Sequence, residues 1–279
     1  MKKILKTASC VAIGTVIGMG LDNRLETTRH SIRSAKIPAE FDGYKIIQIS
    51  DVHSDEVPGL IDAIRLEKPD IIVSTGDLAH HTGGYEKAVS LIDTLLDIAP
   101  VYTITGNHEA WRADCLQMNR ALSDLGAKPL GNSTITLKKD GAKIGLSGID
   151  DPFSVVSQKI RDYLDKAATS ISLIDGYNIL LFHRANWLDY FADGGFDLII
   201  SGHMHGGQMR MPVLGGVISP RSSWASGKKI LFPKYVGGRY KIENTELIVS
   251  RGLGNPMIIP RVFNRPELVS ITLKHMEEK

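Results

Sequence analysis

Five short apolar runs along the chain each end in polar residues of the same few kinds. Residues 44–50 (YKIIQIS) run into Asp51-Val52-His53, and residues 70–75 (DIIVST) into Gly76-Asp77. Residues 100–105 (PVYTIT) are followed by Gly106-Asn107-His108-Glu109, residues 177–182 (YNILLF) by His183, and residues 196–201 (FDLIIS) by Gly202-His203-Met204-His205. Runs of this length, rich in β-branched residues and bounded by glycine or polar residues, predict buried strands. Between them, residues 59–67, 85–98, 113–125 and 155–168 are amphipathic or helix-favouring and predict crossover helices. The alternation predicts an α/β fold with largely parallel pairing, in which ligands sit outside the carboxyl ends of the strands. All five polar clusters fall there.

The middle and end of the chain read differently. Residues 134–137 and 143–147 flank Lys139-Asp140-Gly141, a hairpin signal, and residues 229–232, 238–242, 246–250 and 268–273 are short strand patterns separated by Gly, Asn and Pro. They predict a second, partly antiparallel sheet. Residues 22–43 are polar with spaced apolar positions and are punctuated by Pro38 and Asp42-Gly43, so they read as a lead-in to a single domain spanning residues 44–279.

Residues 1–21 stand apart. Met1-Lys2-Lys3 precedes a Gly-rich apolar run over residues 7–21, the pattern of a basic n-region and an h-region. The run is shorter than the roughly 20 apolar residues of a comfortable membrane helix, but a span starting near Ile4 works if Lys6 snorkels. Cleaved signal and retained anchor are both compatible with it, and the expectation is a retained single-pass anchor in the cell membrane. Lys2, Lys3 and Lys6 favour an extracytoplasmic catalytic domain, against Arg24, Arg29 and Arg33.

Composition narrows the picture only a little. With 279 residues, 43% of them hydrophobic, the chain is long enough to bury a large core. A net charge of +2 gives no indication of a nucleic-acid surface, so an anionic substrate must be met by local groups. Two cysteines, Cys10 and Cys115, exclude a disulfide framework.

The strand-end residues are metal-binding types. Carboxylate and amide oxygens mixed with imidazole nitrogens suit manganese, zinc or iron, and the lack of cysteine points to a catalytic rather than a structural site. Each motif alone has an ordinary alternative: His183 as a buried core histidine, Asp77 as a helix cap, Asn107 and the glycines as turn residues. Their order and common placement argue for function.

The series Asp51-x-His53, Gly76-Asp77, Gly106-Asn107-His108-Glu109, His183 and Gly202-His203-Met204-His205 resembles the calcineurin-like metallophosphoesterase superfamily. Gly202 to Gln208, Ser250-Arg251-Gly252-Leu253-Gly254 and Asn264-Arg265-Pro266-Glu267-Leu268 extend the likeness to its bacterial, membrane-associated YkuE/YaeI-like branch. The resemblance implies two facing mixed β-sheets flanked by helices in a four-layer sandwich. It also implies two divalent metal ions. One would be held by Asp51, His53 and His205, the other by Asn107, His183 and His203, with Asp77 bridging. Such a pair, about 3.5–4 Å apart, lowers the pKa of a bridging water for attack on phosphorus. His108 is left outside the metal shell, as a catalytic residue free to contact the phosphate or protonate the departing oxygen.

The implied activity is hydrolysis of a phosphomonoester or phosphodiester near a membrane. The alternative is a lipid-pathway pyrophosphatase of the type that cleaves UDP-linked diacylated sugars, marked by an apolar groove beside the metals. A non-catalytic scaffold of the same fold would have lost ligands, and none is missing. The substrate would be a phosphorylated small molecule or lipid. Ala79, His80 and His81 stand where relatives carry a carboxylate, and the two histidines are expected to be solvent-facing loop residues. Arg251, Asn264 and Arg265 either line the mouth or serve structural pairs.

Overall fold

A computed structural model describes residues 20–153, 156–191, 193–211, 214–220, 231–256 and 259–277. The five apolar runs are strands, but they divide between two sheets. β2 (Lys45–Ile49), β3 (Ile71–Ser74) and β4 (Val101–Thr103) pair in parallel in the first, and β8 (Asn178–Arg184) and β9 (Leu198–Gly202) in the second. Around them lie β1 (Glu26–Ser34), β5 (Lys128–Pro129), β6 (Ser133–Lys139), β7 (Ala142–Ile149), β10 (Arg210–Met211), β11 (Gly215–Gly216), β12 (Gly238–Ile242), β13 (Thr245–Val249) and β14 (Glu267–His275). One six-stranded sheet has the order β1-β14-β2-β3-β4-β5, the other β12-β13-β9-β8-β7-β6, and both are mixed.

Side-chain alternation assembles the layers. In β2, Ile46 points into the core between the sheets while Ile47 and Ile49 point outward; Ile71 and Val73 oppose Ile72 in β3 in the same way. In β8, Ile179 and Leu181 face inward and Leu180 and Phe182 outward. Strands buried on both faces carry continuous apolar runs, which is why these were legible. The outer face of the first sheet is covered by α1 (Leu60–Glu67), α2 (Glu86–Leu96) and α4 (Cys115–Leu125), through residues such as Ile64, Ile92 and Met118. That of the second is covered by α5 (Ser157–Ser170), through Ile160 and Leu164. A one-turn helix, α3 (Asn107–Ala110), follows β4. The result is the expected four-layer sandwich.

The predicted hairpin is β6–β7, with Asp140 and Gly141 both at positive φ, 49° and 91°, as a two-residue type I′ turn requires. Three readings change. Residues 22–43 are not merely a lead-in, because they contain β1, paired in parallel with β14 at the sheet edge. Its alternation is weak because much of it is half exposed, with Ile32 its one fully buried apolar residue. The C-terminal β14 joins the first sheet, antiparallel to β2, rather than the second. Within residues 229–232, Leu231 forms an isolated bridge with Ile218, and residues 229 and 230 lie outside the described residues. Among the described residues no helix is long and apolar enough to cross a membrane. The anchor expected in residues 1–21 lies, except for Gly20 and Leu21, outside the described residues.

Candidate metal centre

Both sheets deliver their strand ends to one place. Gln48, three residues before Asp51, donates to Thr75 Oγ1 and to the Ser201 carbonyl of the opposite sheet, each at 2.8 Å, and so ties the two sheets together at the site. Beyond the strands the chain turns sharply. Asp51, His53, Asp77, His203 and His205 have φ of 53°, 53°, 55°, 73° and 47°, a left-handed conformation that costs an L residue roughly 1–2 kcal/mol. Main-chain bonds over-determine it: Asp51 N–H donates to Gly76 O at 3.0 Å and His53 N–H to Asp77 O at 2.9 Å. Gly76 and Gly106 allow the loops to touch, since a Cβ on Gly106 would lie 2.2 Å from Asp77 Oδ1 and one on Gly76 would lie 2.4 Å from Gly106 N.

The seven candidate ligands converge, and none is more than 4% exposed. Asp51, His53 and His205 form one group, with His53 Nε2 3.2 Å from His205 Nε2 and His205 Nε2 3.4 Å from Asp51 Oδ1. His183 and His203 form the other with Asp77, at 3.2 Å between His183 Nε2 and His203 Nδ1; Asn107 Oδ1 is also 3.2 Å from His183 Nε2. Asp77 Oδ2 lies 3.3 Å from His183 Nε2 and 3.7 Å from His53 Nε2, between the groups. Buried imidazole nitrogens that face one another at this spacing fit cation ligation. Tetrahedral ligands about 2.0–2.1 Å from an ion stand about 3.3 Å apart.

Outer contacts orient these groups. His183 Nδ1–H donates to Thr75 O at 2.8 Å, which would leave Nε2 to meet a cation. Asp51 accepts from Ser50 Oγ at 2.6 Å and from His203 N–H at 3.0 and 3.1 Å, so Ser50 has a supporting place rather than a nucleophilic one. Burial drives His53, His203 and His205 well below the usual imidazole range, which keeps the three rings uncharged. Burial also opposes charge on His183, but the Asp77 carboxylate overrides it and pushes the imidazole up to about 10. A cation held there would take the place of that proton, so uptake would release protons.

His108 sits against the same site. One of its ring nitrogens is within 4.8 Å of ligand atoms of His53 and Asp77, and its backbone N–H donates to Asp77 Oδ1 at 2.8 Å. Burial pushes its imidazole down to about 4, so it is uncharged at neutral pH.

Three residues to which sequence reasoning gave no supporting role have one. Glu109 accepts the N–H groups of Asp77 and Gly106 on Oε2 at 2.7 and 2.8 Å and that of Ala79 on Oε1 at 2.8 Å, locking the two loops together. Its signal was its place after Gly106-Asn107-His108. Arg184, next to His183, makes a buried two-pronged pair with Asp151, both bonds 2.6 Å; Asp150-Asp151 follows β7 just as other polar clusters follow their strands. Arg261, 2% exposed, donates to the carbonyls of Gly254 and Arg251 and reaches within 3.4 Å of His205 Nδ1. It comes from an irregular loop and had no legible signal. The residues left open resolve as structural. Arg251 pairs with Glu26 and Glu267, Asn264 donates to the His205 and Gln208 carbonyls, and Arg265 donates to those of Arg24 and Leu25.

A family model for calcineurin-like phosphoesterases matches residues 44–207, more than half of the chain and every candidate ligand. The chain belongs to the calcineurin-like phosphoesterase family. This phosphoesterase is 30% identical over 260 residues to the metallophosphoesterase YkuE of Bacillus subtilis, 90% of this chain and 86% of that one. It is 26% identical over 283 residues to phosphodiesterase YaeI of Escherichia coli, with 95% and 96% covered. The crystal structure of a phosphopantetheinyl hydrolase from Mycobacterium tuberculosis shares the fold, with a TM-score of 0.53 over 77% of this chain and 91% of that one at 11% identity. Membership makes the phosphoesterase a metal-dependent hydrolase of phosphoesters.

Proposed function

We propose that the chain hydrolyses a phosphomonoester or phosphodiester at a binuclear centre, with Asp51, His53 and His205 holding one divalent ion, Asn107, His183 and His203 the other, and Asp77 both. The observation that carries this reading is the position of Asp77 Oδ2 between two buried groups of ligand atoms. Two bound cations supply Lewis-acid polarisation of the phosphoryl group and a water of lowered pKa. The chain's own residues do the rest. Asp77 sets the separation of the two groups, Thr75 fixes the His183 tautomer, and Glu109 holds the Asp77 and Gly106 loops in register. His108, uncharged, donates a hydrogen bond toward phosphoryl oxygen at the rim.

The purified chain should cleave a chromogenic phosphoester only with divalent metal, and Asp77→Ala should lose both ions by elemental analysis. A rate unchanged after chelation, with no metal remaining, would falsify the reading.

A second reading, a lipid-pathway pyrophosphatase, is favoured by one feature. A cavity of about 600 Å³, lined by Leu25, Val57, Pro58, Leu253 and Pro266 and also by the polar Asn23, Arg24, Asp55, Glu56 and Asn255, has Arg261 in its wall, the same residue that approaches His205. An apolar chain lying there would leave its diphosphate beside the metal ligands and a guanidinium. Faster turnover of a UDP-linked diacylated sugar than of simple monoesters and diesters would select it.

A further inference from the structure

Next to the centre, but outside it, three more imidazoles meet. Ligand atoms of His80, His81 and His108 all lie within 4.8 Å of one another, and His81 Nδ1 is 3.2 Å from His108 Nδ1. That is the same spacing as His53 to His205 and His183 to His203 inside the centre, and it is close to a tetrahedral ligand edge. The ring centroids are 4.3, 4.8 and 4.9 Å apart, so the three rings converge from the loop after β3 and from α3.

The loop that carries His80 and His81 is built rather than loose. Arg112, 7% exposed, donates to the His80 carbonyl at 2.6 Å and to the Gly83 carbonyl at 2.9 Å. The Thr82 N–H lies 3.3 Å and Thr82 Oγ1 2.9 Å from His80 Nδ1, and a cation on Nε2 requires the tautomer in which Nδ1–H donates to Thr82 Oγ1. The Trp111 ring packs 5.5 Å from His108 and 6.0 Å from His81, closing one side. His81 itself is exposed, which opens the other side to solvent.

We propose that His80, His81 and His108 form a third divalent-cation site at the mouth, selective for zinc over magnesium or calcium because every donor is an imidazole nitrogen. Three protein nitrogens leave one tetrahedral position for water. Occupancy takes the His108 Nδ1 lone pair, displacing the His81 N–H that it accepts at 3.3 Å, and places a charge beside the His53 ring, whose centroid is 4.4 Å from that of His108. The consequence is inhibition by excess zinc, which rests on the binuclear reading above; the site itself does not.

The test uses the full chain and zinc alone as probe. Equilibrium dialysis with elemental analysis should find three zinc ions per wild-type chain and two in the His80→Ala/His81→Ala variant. In protein loaded with manganese, added zinc should inhibit phosphoester hydrolysis. The variant should raise the half-inhibiting zinc concentration at least about 10-fold, the loss that even an outer-shell partner can cause. His81→Gln, an exposed change, should give the same direction of effect and guards against misfolding in the double variant. Two ions in both proteins would overturn the site while leaving the binuclear reading intact, and activity without any bound metal would overturn that reading instead. A third ion retained by both variants would also overturn the His80/His81/His108 site, as would a raised KM at unchanged stoichiometry and zinc sensitivity, which would make the histidines substrate contacts.

Discussion

Replacing Arg184 with Met asks whether the ion pair at the end of β8 supports the site or merely fills space. The guanidinium and the Asp151 carboxylate are 1% and 0% exposed and meet through two bonds of 2.6 Å. Removing the cation leaves a carboxylate with no solvent to replace it, a loss of about 3–5 kcal/mol. For a chain of this size that is a fall in Tm of roughly 6–20 °C. The loss depends on pH. Burial already pushes the Asp151 carboxyl up with Arg184 in place, and without Arg184 it rises further. The unfolded carboxyl then ionises before the folded one does, so the variant loses stability as pH rises from 3.8 through the folded value. The deficit against wild type is therefore larger at alkaline than at mildly acidic pH. The double variant Asp151→Leu/Arg184→Met removes both charges and should recover most of the loss. A functional arm follows from the same contacts. Asp151 N–H donates to Thr105 Oγ1 at 3.1 Å and Asp150 accepts Thr105 N–H at 2.9 Å, so the turn entering Gly106-Asn107 should loosen and metal occupancy should fall in the single variant. Denaturant unfolding of the three proteins at two pH values is the assay. Equal costs for single and double variants, with no pH dependence, would refute the argument.

Other substitutions separate neighbouring roles. His108→Ala should keep both metal ions and slow alkoxide and nitrophenolate leaving groups by similar factors, because an uncharged imidazole contributes a hydrogen bond rather than a proton; a loss on the order of 100- to 10,000-fold confined to the alkoxide would restore the general-acid role. Glu109→Gln should weaken metal binding about 10- to 100-fold by disturbing the Asp77 loop. It should also flatten the pH dependence of metal-free stability. Burial, with Asp77 nearby, raises the Glu109 carboxyl, so wild type loses stability as pH rises from 4.5 through the folded value and the variant does not. Unfolding curves that diverge in the opposite sense would mean that the three backbone donors outweigh burial. Deleting residues 1–21 should release the chain from membranes without loss of phosphoesterase turnover, and equal partitioning of both forms would remove the anchor.

The parts of the fold legible in advance were those written locally. β2, β3, β8 and β9 announce themselves because both of their faces are apolar, and their polar ends follow directly in sequence. Pairing over long distance was not written locally. Nothing in residues 26–34 names β14 as a partner 241 positions later, from Glu26 to Glu267, and a half-exposed edge strand looks like linker. The same distinction divides the site. Side chains that offer lone pairs to a cation have recognisable types in recognisable places. Glu109 acts on backbone N–H groups some 30 residues earlier, so its motif marks its place but not its role, and Arg261 acts on carbonyls in its own loop region and leaves no pattern of residue types.

The left-handed turns at Asp51, His53, Asp77, His203 and His205 set folding and catalysis against each other at single positions. Glycine would relieve each turn, by something on the order of 1–2 kcal/mol per site, and would erase one of the proposed ligands. A library selected for thermal resistance alone should therefore drift toward Gly or Asn at these positions, and a sequence redesigned to suit this backbone should lose its metal before it loses its shape. Selection that keeps the side chains at such positions must be reading turnover, which makes these the places where a stability screen and an activity screen of the same library should disagree most.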